Sequence, residues 1–246
     1  MANLTDKHIE LQKQFKENKY CVVKNCISLE LAHFLFQYSF LKEQVNIELD
    51  KRNLLPPKNH MIYEMFGMRE GDSQSPNSFS NYGDMAMDAL LATLTSKMKS
   101  ITGLNLIPAY SYFRIYSNGH VLRRHKDRAS CEVSTTLCLG YTTKSWPIYI
   151  DTSGEKGKKG ISVDLKPGDM MVYRGVVSEH WREPFDGDKI SQVFLHYNDI
   201  DGPFKDNNLY DCRPQLGMTS YFKDPKKMEI ASKIEKLVTS GKVKWL

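Results

Sequence analysis

From about residue 107 to residue 198 the chain breaks into short runs rich in aromatic and β-branched residues: AYSYFRIY, EVSTTLCLGY, SWPIYID, ISVDL, DMMVYRGVV and ISQVFLHY. Such residues pack well on a pleated surface, and the Gly, Pro, Asn and Asp between the runs supply turns. Many short strands at this regular spacing predict a sandwich or a small barrel.

The flanks carry a different period. Residues 1–106 read as mostly helical support, opened by a short strand at 20–26 (YCVVKNC), with Ser28 as N-cap of the helix LELAHFLFQYSFLKEQ. Residues 71–83 read as a loop, rich in Ser, Gly and Asn, and as a candidate lid. After Asp84, the apolar residues Met87, Leu90, Leu91, Leu94, Met98 and Ile101 recur at helical spacing, and Gly103 suits the left-handed C-terminal position. Beyond the β-rich core, 199–223 is a polar loop, followed by a helix opened by Asp224 and Pro225 that carries Met228, Ala231, Ile234, Leu237 and Val238 on one side.

These pieces predict a single domain over 1–246, of α+β class with a mainly β core, and 41% apolar residues are enough for one substantial core. The formal charge of +5 is spread among interspersed acids and bases, which gives no sign of nucleic-acid binding. No run approaches the ~20 apolar residues of a membrane span, and the polar start lacks a signal-peptide core. The expected compartment is the cytoplasm. Five cysteines, none in a C-x-x-C pair, read as reduced thiols.

His125 and Asp127 lie two residues apart at the end of an extended run, so a strand period of two points both side chains to one face. His180 follows just after MMVYRGVV, where a neighbouring strand of the same sheet delivers it. Two imidazoles and one carboxylate on one face leave coordination positions open, the arrangement used by iron oxygenases.

The string RIYSNGHVLRRHKD, from Arg114 to Asp127, resembles the Arg-Tyr, Gly, Leu, His-x-Asp pattern of the 2-oxoglutarate/Fe(II)-dependent oxygenases, prolyl-4-hydroxylase-like branch. The block HWREPFDGDK, from His180 to Lys189, is similar to the second block of that family. The resemblance covers about residues 108–198 and implies a double-stranded β-helix, or jelly-roll, core over 107–198. It implies His125, Asp127 and His180 as the ligands of Fe(II), with 2-oxoglutarate and O2 as co-substrates and ascorbate as an assay additive. It also implies that Lys189 pairs with the far carboxylate of 2-oxoglutarate while Ser191, on the same strand face, adds a hydrogen bond. Tyr116 and Tyr141 resemble, by position, the family's tyrosines beside that co-substrate. The pattern departs after Trp146, where PIYI replaces a paired-glycine strand, and at 189, where lysine stands for the more frequent arginine and gives a point charge instead of a planar fork.

The implied reaction is oxidative decarboxylation of 2-oxoglutarate to succinate and CO2, coupled to hydroxylation of a C–H bond in a peptidyl, even prolyl, or small-molecule substrate. Asp127 argues against halogenation, because related halogenases carry a small residue there. Leu195 stands where nucleic-acid demethylases of this kind carry a second arginine. Two other readings stay open: a cupin-type metalloenzyme without 2-oxoglutarate, and a catalytically silent jelly roll. His120, Arg123 and Arg124 read as a solvated face, Trp181 and Arg182 as residues of the pocket mouth or of packing, and His8, His33, His60 and His196 as structural.

Overall fold

The computed structural model describes residues 6–155, 157–205, 208–227 and 229. Three helices lead into and interrupt the strands: α1 Asp6–Asn18, α2 Leu29–Lys51 and α3 Met85–Thr102. The strands are β1 Tyr20–Val23, β2 Phe79–Tyr82, β3 Leu106–Ser117, β4 Leu122–His125, β5 Val133–Tyr141, β6 Ile148–Asp151, β7 Ile161–Val163, β8 Met170–Arg174, β9 Glu179–Arg182 and β10 Lys189–Asp199. They form two sheets, ordered β1-β8-β5-β10-β3-β2 and β4-β9-β6-β7, with antiparallel pairing throughout. This is the expected double-stranded β-helix.

Two apolar layers follow from the strand period. Between the sheets lie Tyr116, Cys138, Ile148, Ile150, Phe185 and Ile190. On the other face of the larger sheet, Leu137, Val193 and Leu195 pack with Leu35 of α2 and Met87 and Leu91 of α3. Strand β10 serves both layers: Ile190 and Phe194 enter the space between the sheets, whereas Val193, Leu195 and Tyr197 face the helices.

The helix signals act as read. Ser28 Oγ accepts from Leu31 N at 3.2 Å, and Asp84 Oδ1 accepts from Ala86 N at 3.0 Å. All six apolar residues noted in α3 are buried, and Gly103 closes the helix at φ 71°. The stretch 71–83, expected as loop throughout, contains β2 at its end, paired to β3. The helix expected after Asp224, with its stripe of Met228, Ala231, Ile234, Leu237 and Val238, lies mostly outside the described residues. Cys21, Cys26, Cys131 and Cys138 are buried free thiols, and Cys212 is exposed. No described helix is long and apolar enough to cross a membrane.

Candidate metal centre

Strands β4 and β9 pair in the smaller sheet with His125 directly opposite His180, and the chain after β4 carries Asp127 to the same point. Asp127 is pinned by its own backbone, whose N–H donates to Gly175 O at 3.0 Å. The result brings His125 Nε2 to 3.6 Å and His180 Nε2 to 3.5 Å from Asp127 Oδ1, and one ligand atom from each of the three lies within 4.8 Å of the others.

The tautomers follow from the partners. His125 Nδ1 lies 2.6 Å from Arg123 O, and His180 Nδ1 lies 3.2 Å from Ser178 O. A carbonyl only accepts, so each Nδ1 carries the hydrogen and each Nε2 turns a lone pair toward Asp127. Burial, and for His125 the neighbouring His180, lower both imidazole pKa values to about 4, so both rings are neutral at pH 7 and able to ligate. Asp127 Oδ2 accepts from Ser134 Oγ at 2.7 Å, and Ser134 Oγ is 3.0 Å from His196 Nδ1. The carboxylate is thereby held from behind.

Asp127 also belongs to a second group, with Cys131 and His196. Burial, together with the charge of Asp127, raises the Cys131 thiol, which stays protonated and is a poor ligand. The open trio is therefore His125, Asp127 and His180. It lies in a cavity of about 450 Å³ whose walls include Tyr110, Arg114, Arg128, Tyr173 and His196.

The four residues expected around 2-oxoglutarate are not gathered there. Lys189 Nζ pairs with Glu43 Oε2 of α2 at 2.8 Å, and Ser191 Oγ accepts from Ser39 Oγ of α2 at 2.9 Å. The two do share a strand face, as the period requires, but it is the helix-covered face. Ile190 takes the interior, and a one-residue displacement of the pattern turns the whole set outward. Tyr116 is buried between the sheets, its ring 4.9 Å from Trp146 and its hydroxyl without a partner. Tyr141 stands opposite Ile190 at the edge of the interior core.

What the interior holds instead is Arg182, two residues past His180 on β9 and so on the same face. Its side chain is 2% exposed, not at a pocket mouth. It donates to Trp146 O and, at 3.3 Å, to Thr136 Oγ1, both neutral, and its Nε has no partner. Among the described residues no carboxylate pairs with it, and burial lowers its pKa. Arg114, on the interior face of β3 with Tyr116, is also buried. Its Nη2 pairs with Asp72, but its Nε and Nη1 have no partners. His196, read as structural, lines the cavity. Strand alternation from His180 and Tyr116 was the signal available for both arginines. Arg124 behaves as a surface residue, bonded to Glu179 and Asp151 at 2.6 Å each.

The chain folds as a double-stranded β-helix, the fold of solved 2-oxoglutarate- and Fe(II)-dependent oxygenases, and carries two histidines and one carboxylate that could hold a metal ion. The sequence itself matches no family model and no curated protein. Among solved structures, a Pseudomonas putida prolyl-4-hydroxylase shares 16% identity over 78% of this chain and 98% of its own, with a TM-score of 0.53. A 2OG-Fe(II) oxygenase family oxidoreductase from Burkholderia pseudomallei shares 12% over 80% and 93%, at 0.55. The non-haem alpha-ketoglutarate-dependent epimerase SnoN of nogalamycin biosynthesis shares 11% over 82% and 89%, at 0.57.

Proposed function

We propose that this chain is an Fe(II)- and 2-oxoglutarate-dependent oxygenase that hydroxylates a C–H bond of a peptidyl or small-molecule substrate. The observation that carries the reading is the pairing of the open trio with a buried guanidinium that lacks a carboxylate. An unpaired buried cation costs several kcal/mol, and an anionic ligand relieves that cost. 2-Oxoglutarate has the required chemistry: a keto-acid end that chelates a metal and a far carboxylate that seeks a cation. The donors fit Fe(II), and the unpartnered Arg182 Nε, Tyr116 hydroxyl and Arg114 Nε and Nη1 fit the co-substrate.

His125, Asp127 and His180 would hold the metal, and Arg182, assisted by Thr136 and Tyr116, would anchor the far carboxylate in place of Lys189. Iron with bound 2-oxoglutarate supplies the oxidising chemistry. The protein's part is to orient both molecules and to exclude water, for which the aromatic wall of Tyr173 and Phe194 is suited. Structural neighbours include a prolyl-4-hydroxylase, an epimerase and a carbocyclase, so the fold accommodates several outcomes. A cupin-type metalloenzyme or a silent jelly roll would leave the buried charge of Arg182 without a counter-ion.

The test is succinate formation from 2-oxoglutarate with Fe(II) and ascorbate, using lysate fractions as the source of substrate. Turnover that disappears in His125→Ala and Asp127→Ala is expected. Metal retention without any succinate overturns the assignment.

A further inference from the structure

Beside the trio, the cavity has a cationic wall formed by Arg128, Lys126 and Lys223. Arg128 and Lys223 share Asp211, which is fully engaged; of the carboxylates on the lining itself, Asp72 is taken by Arg114 and Asp127 belongs to the trio. Asp211 accepts from Arg128 through two bonds of 2.7 and 2.6 Å, from Tyr82 at 2.7 Å, and from Lys223. Lys126 adds an exposed ammonium on the same lining. Apart from Asp127 of the trio and the Asp72–Arg114 pair, three cations therefore have one carboxylate between them. Arg213 does not change the balance, because Asp88 takes its charge at 3.0 Å. Burial lowers the pKa of Lys223 despite its bond to Asp211, and the charges of Arg128 and Arg213 act in the same direction.

Aromatic rings form the floor beneath these cations. Tyr82 and Tyr110 stack at 4.8 Å, Lys223 Nζ lies 4.4 Å above Tyr82, and the Arg128 guanidinium lies 4.7 Å above Tyr110. The floor leads back to the metal centre: the Tyr110 hydroxyl is 3.0 Å from Cys131 Sγ, which is itself grouped with Asp127. The wall is also held at a cost. Tyr210, Asp211 and Cys212 are consecutive non-glycine residues in the left-handed region, at φ 52°, 57° and 64°. Each such residue costs about 1 kcal/mol or more and persists where the surroundings enforce it.

We infer that the substrate carries an oxyanion, a carboxylate or a phosphate, which sits against Arg128, Lys223 and Lys126 while its apolar or aromatic body lies along Tyr82 and Tyr110 toward His125 and His180. The inference rests on the oxygenase reading for what happens at the metal, but not for binding at the wall. A cavity of about 450 Å³ is in the range of small-molecule sites.

The test uses small ring probes on the full chain with 2-oxoglutarate saturating, so that the co-substrate cannot account for the signal. Benzoate and phenyl phosphate are compared with neutral benzamide by ligand-detected NMR. Wild type is expected to bind one or both anions roughly tenfold more tightly than benzamide, and Lys126→Gln/Lys223→Gln is expected to abolish that preference. Asp211 keeps both hydrogen bonds from Arg128 in this variant, and Lys223→Arg, which retains the charge, is expected to keep the preference. Whichever anion binds more tightly identifies the source of the oxyanion. Equal binding of charged and neutral probes by wild type, or a preference that survives the double substitution, overturns the inference. A charge preference without succinate formation would sink only the oxygenase reading, and succinate formation without a charge preference would sink only this one.

Discussion

Ser134 holds Asp127 from behind: its hydroxyl donates to Oδ2 at 2.7 Å, while Oδ1 is the oxygen that faces His125 and His180. This division of labour fixes which lone pairs remain for a metal. Partners of this kind are worth 10- to 100-fold in metal affinity. Ser134→Ala is therefore expected to weaken Fe(II) or Co(II) binding by roughly tenfold or more, read by competition with a chromophoric chelator. Gly175→Ala should act more severely, since its Cβ would collide with Asp127 Oδ2 and the Cys131 carbonyl. Wild-type affinity in both variants would show that the carboxylate needs no such support.

Arg182 and Lys189 make opposite predictions. Arg182→Lys keeps a charge in the interior but loses the planar fork, and it should raise the 2-oxoglutarate concentration needed for half-maximal succinate formation by roughly tenfold or more. Lys189→Ala breaks only a half-exposed pair with Glu43, worth about 1 kcal/mol or less, and should leave that concentration within about twofold. A large loss at Lys189 with Arg182→Lys indistinguishable from wild type would return the anchor to β10.

These two residues also show how far the sequence can be read. The alternation in ISQVFLHY marks β10 and groups Lys189 with Ser191, but it does not say which face the helices cover, and that choice separates a ligand residue from a surface one. All six apolar runs became strands; five bury at least one face, and the short β7 buries only Val163. FSNY was missed, being expected as loop, whereas LRRH and EHWR have no apolar run of their own and were expected only as extended chain around the histidines. The latter two are four residues each, and their polar residues serve the metal centre and the solvent instead of a core. The gathering of His125, Asp127 and His180 was nevertheless legible, through local spacing and motif. The Asp211 wall was not, because Tyr82, Arg128, Asp211 and Lys223 converge only through the tertiary fold.

The segment 72–78 is fastened across the cavity, which bears on its reading as a lid. Asp72 pairs with Arg114 and also accepts from Gln74 N at 2.9 Å and Ser75 N at 3.1 Å, while Arg123 N donates to Gln74 O at 2.8 Å. Asp72→Asn removes the charge from the pair with Arg114. Hydrogen exchange at Gln74 and Ser75 is then expected to accelerate roughly tenfold, with the β3–β10 amides unchanged. Unaltered exchange at both positions would mean that the backbone bonds alone hold the segment.

Acid stability of the metal-free protein follows from the histidines. His125, His180 and His196 are each lowered to about 4, chiefly by burial, against an ordinary value of 6.5. Between pH 6.5 and 4 the unfolded chain takes up protons that the folded chain refuses, so stability must fall as pH falls across that window, by up to about 2 kcal/mol per histidine at pH 5. Asp211 acts in the same direction but lower: its two cationic partners hold its pKa well below the usual carboxylate range, and its contribution fades only as the pH drops below about 4. Urea midpoints at pH 7.5 and 5 thus isolate the imidazoles. The midpoint is expected to be lower at pH 5, and His196→Asn should reduce the difference by removing one of the three groups. Equal midpoints at the two pH values would mean that the rings take up protons without leaving the fold, and so are not held neutral by it.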